Sequence, residues 1–384
     1  MIAVSGGGIA GLAAGLAVLR TQTPLLLVAG STPTKALLGG IQIAPNGWEA
    51  LNRLGVGDLA RTESTALDAI TVRDMHSTAT IASLELRKSA YSSIARASLI
   101  RLLETEINAI GGCKRITTNI THAVQRGPDQ NWDLHIVNDD GSAFQVDALI
   151  AADGARGFGR TYVNNFEPNK LQQRINGRIA MRAVAKATDL PKSFALPFCN
   201  LWLGSGAHLV HYPINDGKDV NLVLTFNAKK VTGDWQKEFF GNNDVLVALQ
   251  KNNNINWVNT TLPTQTYQNC WRRGRTVLAG DAAHPIPPNL AQGAGQSLED
   301  AACLMRCLGS NSIDDALSKY AQERSKAVSK IFKKAVTSSK IMALDGPQAK
   351  ARNMVISLGG TEILEKWLAN VWACLLYTSD AADE

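Results

Sequence analysis

The first thirty residues carry apolar positions in two different patterns. Residues 2–4 are apolar, and a glycine-rich turn over 6–11 leads into an alanine-rich apolar stretch over 9–19. A second short apolar run follows at 25–28. Short apolar runs bounded by turn residues are typical of buried strands, and the longer stretch between them has helical spacing. The pattern therefore predicts one βαβ unit.

Further along the chain, alternating segments and helix-like segments succeed one another. Strands are predicted at 70–86, in a hairpin over 116–152 with turns at 127–129 and 139–141, and at 276–279, and helices are predicted at 97–110, 296–309 and 313–343. From about 161 to 270 the segments are β-rich and are joined by polar turns such as 215–218. This arrangement predicts an α/β fold with an inserted β-rich domain.

The predicted domain division follows from this change of pattern. It consists of a first α/β part over 1–160, a β-rich domain over 161–270, a return to the α/β domain with helices over 271–374, and a tail at 375–384. The tail sequence resembles a translated sequencing adapter, so we expect it to be non-native.

Three glycines in the first turn point to a ligand. Gly6, Gly8 and Gly11 follow the first strand and open the helix, as a dinucleotide site requires, although glycines also serve helix packing. They allow a tight turn, a close approach to a pyrophosphate and close packing of helix on strand. The acidic residue that usually ends this fingerprint is replaced by Ala29, so we expect weaker nucleotide binding unless a neighbour compensates. The neighbours considered are Ser31, Thr32 and Lys35.

Composition removes several classes of protein. The net charge of +6 is spread over 384 residues, which gives no basis for nucleic-acid binding and favours anionic small molecules. No apolar stretch approaches the length of a membrane-spanning helix, and residues 1–19 lack the basic start of a signal peptide. The six cysteines have no zinc or CxxC spacing, so we expect reduced thiols in a cytoplasmic protein.

Three further motifs identify a family. Gly280-Asp281-Ala282-Ala283-His284-Pro285 continues into Pro288-Asn289-Leu290-Ala291-Gln292-Gly293-Ala294-Gly295-Gln296, Asp153-Gly154 follows a buried strand, and Gly40-Ile41-Gln42-Ile43-Ala44-Pro45-Asn46 is accompanied by Arg96-Ala97-Ser98-Leu99. Together they resemble the para-hydroxybenzoate hydroxylase-like flavoprotein monooxygenases, and the salicylate hydroxylase branch most of all. The resemblance spans about residues 2–372.

The resemblance implies a Rossmann-like FAD-binding domain of the glutathione-reductase type, with the β-rich insertion as the substrate domain. It also implies the residues that contact non-covalent FAD: Gly6, Gly8, Gly11, Gln42, Arg96, Asp153, Gly154, Asp281, Gly293, Ala294 and Gly295. Asp281 is expected on the ribityl chain, and Arg96 near the pyrophosphate or on the adenine side. Pro288, which precedes the glycine loop, is expected in the catalytic centre.

A segment of the second domain resembles the substrate strand of this family. His208, Val210 and Tyr212 in the HxxxYP pattern would share one face of a strand, with His211 on the other face. The resemblance places His208 and Tyr212 near the aromatic ring, with His208 as the base, although a single strand histidine is more often structural. Arg182 is expected to be structural.

The activity that the resemblance implies is hydroxylation of a small aromatic acid, such as a hydroxybenzoate. NAD(P)H reduces FAD, O₂ adds to form a flavin C4a-hydroperoxide, and one oxygen atom passes to the ring. The protein then supplies position and electrostatics.

Two alternatives remain open at this stage. The first is a flavin epoxidase or quinone-precursor hydroxylase on a hydrophobic substrate, with the basic helix 326–340 and the apolar segment 363–376 on a membrane surface. Helices that cover the domain explain these segments better, because lysines are the usual solvated face. The second is a degenerate relative that holds FAD poorly. Oligomeric state is not predicted.

Overall fold

A computed structural model describes residues 1–30, 38–86, 90–126, 133–165, 177–231, 233–262 and 267–372. The described ranges leave out Ser31, Thr32 and Lys35, the turn at 127–129, the cysteine at position 374 and the tail at 375–384.

The secondary structure follows the predicted order. The strands of the described residues are β1 Ile2–Ser5, β2 Leu25–Val28, β3 Gly40–Ile43, β4 Ser64–Ala66, β5 Ala69–Asp74, β6 Thr80–Glu85, β7 Ser92–Ala95, β8 Cys113–Ile116, β9 Ile120–Arg126, β10 Asp133–Asn138, β11 Ala143–Val146, β12 Ala148–Ala151, β13 Arg178–Lys186, β14 Phe198–Leu203, β15 His208–Ile214, β16 Asp219–Asn227, β17 Val258–Thr261, β18 Arg272–Arg273 and β19 Thr276–Leu278. The helices are α1 Ile9–Arg20, α2 Pro45–Arg53, α3 Gly57–Thr62, α4 Arg96–Ile110, α5 Phe158–Asn164, α6 Trp235–Phe240, α7 Val247–Lys251, α8 Gly293–Ser310, α9 Ile313–Met342 and α10 Gly346–Trp372.

The first sheet confirms the predicted βαβ unit. Its order is β18-β19-β12-β1-β2-β8, and β1 lies parallel to both β12 and β2. All residues of β1 and β2 are buried, because both faces of this parallel sheet are covered. Helix α1 packs between α4 and α8, and the sheet β9–β11 covers the opposite face. The start of α1 therefore lies at the carboxyl ends of β1 and β12.

The second sheet has the order β17-β13-β16-β15-β14-β5-β6. Its neighbours are antiparallel except for β14 and β5, which are parallel. Strands β5 and β6 come from residues 69–85, inside the range 1–160 that the sequence pattern assigned to the first domain. Alternation predicts that a segment is a strand, but it does not say which sheet the strand joins. The second sheet is thus built from two separated segments.

The two faces of the second sheet have different neighbours. One face packs on α6 and α7 through an aromatic core that includes Trp202 and Phe226. The other face carries Val184, Cys199 and Tyr212, and it packs against β7 and against α10. This second face meets the first domain, because the Gly40 N–H donates a hydrogen bond to Asn221 Oδ1 (2.8 Å). We call it the domain-facing face.

The C-terminal helices cover the domains. Helix α9 buries Val328 and Ile331 and leaves Lys326, Lys330 and Lys333 exposed, as the covering-helix interpretation expects. Within the described ranges, no helix is long and apolar enough to cross a membrane.

Candidate active site

The first glycine loop joins β1 to α1. Gly6 has a φ of +111°, and a Cβ atom there would overlap the Ala152 carbonyl. A Cβ on Gly11 would overlap the Gly6 carbonyl, whereas Gly8 faces open space. Gly8 caps α1 without a side-chain hydrogen bond to the first-turn N–H groups. The loop therefore leaves a concave surface with free donors at the positive end of α1, which suits an anion.

The second loop carries Asp153 and Gly154 directly after β12. The Gly159 N–H donates to Asp153 Oδ2 (2.9 Å), while Asp153 Oδ1 is buried without a partner among the described residues. Burial raises the pKa of Asp153 to about 6. Gly154 faces open space beside it. An unpaired oxygen next to an open cradle is a group prepared to accept a hydrogen bond from a ligand.

The third loop, which follows β19, begins at Gly280. Its φ is +59°, and a Cβ there would overlap Ala10 of α1. The loop therefore lies directly against the first turn of α1, with Asp281 exposed. Buried Arg160 contacts the same loop, because its Nη1 donates a hydrogen bond to the carbonyl of Ala282 (2.9 Å). The three loops converge on the N-terminal end of α1.

The fourth predicted segment forms the N-terminus of α8. Exposed Pro288 begins a 3₁₀ turn, and α8 starts at Gly293 without a side-chain cap. Gly293 faces open space, and half-buried Ala294 packs against the main core. Gly295 is buried, and a Cβ there would lie 3.4 Å from Asn46 Nδ2. The free N–H groups at this terminus favour negative charge.

A buried network that the sequence did not predict holds these loops together, with Arg324 of α9 at its centre. Arg324 Nε donates to Asp300 Oδ1 (2.8 Å), and its Nη1 donates to Glu299 Oε2 (2.9 Å). Burial alone would lower the pKa of Arg324, but Asp300 and Glu299 raise it above the usual value. Arg324 lies midway between buried Tyr320 and Val328. Helical spacing therefore marks an inward position, but it does not reveal the partners.

The network reaches both the third loop and α8. The Gly280 N–H donates to Asp300 Oδ2 (2.9 Å), and His284 Nε2 lies 2.6 Å from the same oxygen. Asn46 Nδ2 donates to Glu299 Oε1 (2.6 Å) and to Gln292 Oε1 (2.9 Å). One ion cluster thus fixes the turn at Gly280 and the residue before Gly293.

Gln42 and Arg96 lie where the first domain meets the second sheet. The Tyr91 hydroxyl donates to Gln42 Oε1 (2.6 Å), and Tyr212 is also hydrogen bonded to Gln42. The Arg96 N–H donates to the Gly39 carbonyl (3.0 Å), which places this arginine at the start of α4 beside β3. Gln42 therefore links the predicted cofactor residues to Tyr212, the predicted substrate residue.

Strand β15 has the predicted alternation. His208, Val210 and Tyr212 share the domain-facing face, and His211 stacks on Phe194 on the other face (4.5 Å between ring centroids). Burial, together with the charges of nearby arginines, lowers the pKa of His208 to about 3. A base that works near neutrality needs a higher pKa. The catalytic role of His208 stays a prediction, and its surroundings in the protein alone work against it.

Comparison with known proteins agrees with the geometry. A family model described as FAD binding domain matches residues 1–335. The chain is 30% identical to 3-hydroxybenzoate 6-hydroxylase 1 of Aquipseudomonas alcaligenes over 84% of each chain. It is also 30% identical to a 3-amino-4-hydroxybenzoate 2-monooxygenase of Streptomyces platensis, over 92% of this chain and 91% of the relative. The chain belongs to the FAD-binding monooxygenase family.

Solved structures share the fold of this monooxygenase. Klebsiella pneumoniae HpxO complexed with FAD and uric acid matches with a TM-score of 0.83 and 21% identity, over 98% of each chain. A salicylate hydroxylase substrate complex matches with a TM-score of 0.80 and 22% identity, over 97% of this chain and 94% of that one. At this identity the matches show the α/β architecture with a substrate domain.

The residues of this monooxygenase fit FAD, the cofactor of its family. Gly8, Gly154 and Gly293 each face open space, where a side chain would intrude on a ligand, and Asp153 Oδ1 is an unpaired acceptor among the described residues. The end of β2 lacks the usual acidic acceptor, since Ala29 stands there. The groups that remain available to FAD there are backbone donors and the loops after β12 and β19.

Proposed function

We propose that this monooxygenase hydroxylates a small aromatic acid of the hydroxybenzoate class, with NAD(P)H and O₂ as co-substrates. The reaction consumes one aromatic acid, one O₂, one NAD(P)H and one proton, and it yields the hydroxylated acid, water and NAD(P)⁺. The observation that carries the proposal is the convergence of three glycine loops at α1, next to a sheet face that bears His208 and Tyr212. The two relatives named for hydroxybenzoate substrates support the substrate class.

Bound FAD would supply the redox chemistry, and the protein would position and shield the reactants. Gly6, Gly8 and Gly11 would hold the pyrophosphate, with Arg96, Asp153, Gly154 and Asp281 as further contacts. The open N-terminus of α8 at Gly293, Ala294 and Gly295, which follows Pro288, would stabilise negative charge on the reduced cofactor.

On the substrate side, the domain-facing face provides an apolar floor. Val210 and Leu201 lie side by side on it, between the rows that carry His208 and Tyr212. Such a floor excludes water from the reacting atoms. Tyr212 would hydrogen bond the substrate, and His208 would accept the phenolic proton. A bound aromatic anion would raise the pKa of His208 from its value in the protein alone, because an opposite charge favours the imidazolium.

The decisive experiment compares hydroxybenzoate isomers with purified, FAD-loaded protein. For at least one isomer, we expect NAD(P)H consumption and formation of a dihydroxybenzoate in equal amounts. Benzoate is the control, since it lacks the phenolate that makes the ring electron-rich. NAD(P)H oxidation that yields only hydrogen peroxide with every isomer would overturn the substrate class. A protein that does not take up FAD would support the degenerate-relative alternative.

We further propose that the reaction takes place in the cytoplasm. The cysteines of the described residues are free thiols, the form that persists in a reducing compartment.

A further inference from the structure

Arg182 belongs to the domain-facing face, on the second strand from one edge of the sheet. It lies on β13 opposite Val223 of β16, which in turn lies opposite Val210 of β15. The row on one side of it includes His208, and the row on the other side includes Tyr212. Opposed residues of antiparallel strands share a face, so the Arg182 side chain lies in the row between these two, two strands away from β15.

Packing along β13 supports this direction. Val184, two residues further on, packs in the same cluster as Tyr212. Met181 and Ala183 pack on the opposite side, in the aromatic core beneath α6 and α7. Alternation along the strand therefore leaves Arg182 on the side that meets the first domain.

Arg182 has no partner that a structural role would use. Among the residues that the structure describes, it forms no ion pair and donates no hydrogen bond. Burial lowers the pKa of its guanidinium, Tyr212 partly opposes this effect, and the nearby charge of Arg96 lowers the pKa further. Two neighbouring cations without a carboxylate repel each other in a partly desolvated site. These surroundings favour a ligand-binding role over the structural role expected from the sequence, because an anion would relieve the repulsion.

We propose that Arg182 binds the carboxylate of the aromatic substrate and thereby selects acids over neutral phenols. The inference rests on the proposed function, because it supplies the specificity of that site. A guanidinium binds a carboxylate through two parallel N–H donors, which fixes the orientation of the ring as well as its affinity. With the carboxylate held by Arg182, the ring lies over the apolar floor, between His208 and Tyr212.

The test measures binding without turnover, from the change that an aromatic acid causes in the flavin absorbance of the FAD-loaded protein. The probes are the hydroxybenzoate isomers and the matching uncharged hydroxybenzamides. Arg182→Met removes the charge, and Arg182→Lys keeps the charge but loses the paired donors. Arg73→Met is the matched control, since Arg73 lies on the other face of the same sheet, over Trp202.

We expect Arg182→Met to raise the Kd of the acid roughly 10- to 100-fold, the effect of losing a charge-assisted hydrogen bond. Arg182→Lys should fall between this variant and the wild type. The Kd of the benzamide and that of FAD should stay within about threefold of the wild type. Arg73→Met should bind the acid like the wild type. Retained FAD shows in each case that the variant is folded.

Three results would overturn the inference, and they differ from one another. If the wild type binds an acid and Arg182→Met binds it equally well, the role proposed for Arg182 is wrong while the proposed function stands. If the Kd of FAD rises and that of the acid does not, Arg182 holds a cofactor phosphate instead. If no hydroxybenzoate perturbs the flavin of the wild type, the proposed substrate class is wrong, and so is the role proposed for Arg182.

Discussion

Two arginines of this protein, Arg324 and Arg182, occupy opposite situations. Each guanidinium nitrogen of Arg324 has a hydrogen-bond acceptor, supplied by Glu299, Asp300 and Gln296. Arg182 forms no hydrogen bond or ion pair with the described residues, and a second cation lies nearby. A satisfied buried charge fixes structure, whereas an unsatisfied one marks a place for a ligand. Arg324 thus belongs to the scaffold of the cofactor loops, and Arg182 belongs to the domain-facing face.

The largest effect should come from breaking the satisfied cluster. Arg324→Met leaves the carboxylates of Glu299 and Asp300 buried without their cation, so we expect a loss of about 3–5 kcal/mol in the free energy of unfolding. Urea denaturation measures it. The control is Arg306→Met, whose partner Glu323 is partly exposed, and which should cost at most about 1 kcal/mol. Equal stabilities of the two variants would show that the network does not hold the loops.

The next effect concerns the hydroxylation rate and a residue of the domain-facing face. His208→Ala should leave FAD binding intact and lower hydroxylation roughly 10²- to 10⁴-fold, the contribution of a general base. Part of the rate should return at a pH that ionises the phenol in solution. Product formation is measured separately from NAD(P)H consumption, because hydrogen peroxide can form without hydroxylation. His211→Ala, on the other face, should do much less, and the reverse order would move the catalytic role to His211.

The stability of the protein should depend on pH through Asp153, which lies in the second of the loops at α1. Its pKa is about 6 in the folded protein, against an ordinary value of 3.8 for an aspartate in an unfolded chain. The folded state therefore favours the protonated form. Protonation of Asp153 stabilises the folded protein fully below about pH 4. This contribution is lost as the pH rises through 6, so the free energy of unfolding falls by about 3 kcal/mol in total. Urea titrations of the apoprotein at several pH values measure this loss. Asp153→Asn should lack it, and an unchanged pH profile in the variant would refute the assignment.

The smallest expected effect concerns the missing acid at the end of β2. Ala29→Glu supplies a carboxylate for the ribose hydroxyls, so we expect FAD to bind roughly 10-fold more tightly. Titration of apoprotein with FAD, followed by flavin fluorescence, gives the Kd. Ala29→Gln is the uncharged control and should gain less. Unchanged or weaker FAD affinity in Ala29→Glu would mean that another group already binds the ribose.

The first glycine loop could be predicted because the order strand, turn, helix is visible in neighbouring residues. A Cβ on Gly11 would overlap the carbonyl of Gly6 in the same loop, whereas the overlap at Gly6 involves the distant Ala152. Alternation likewise placed His208 and Tyr212 on one face of β15 correctly.

The remaining features depend on contacts between distant segments. Arg324 meets Asp300 across two helices, and Arg182 gains its setting from the register of β13 with β16. Neither register nor helix packing can be read from the spacing of apolar residues along one segment. For the same reason, the segment 70–86 was predicted as strands but not as part of the second sheet.

The most direct test of the central claim uses ¹⁸O₂ with FAD-loaded protein, NAD(P)H and the hydroxybenzoate isomer that is consumed. We expect a dihydroxybenzoate that carries one ¹⁸O atom per molecule, formed in proportion to the NAD(P)H oxidised. Product without the label, or labelled hydrogen peroxide with no aromatic product from any isomer, would contradict the assignment as an aromatic-acid monooxygenase.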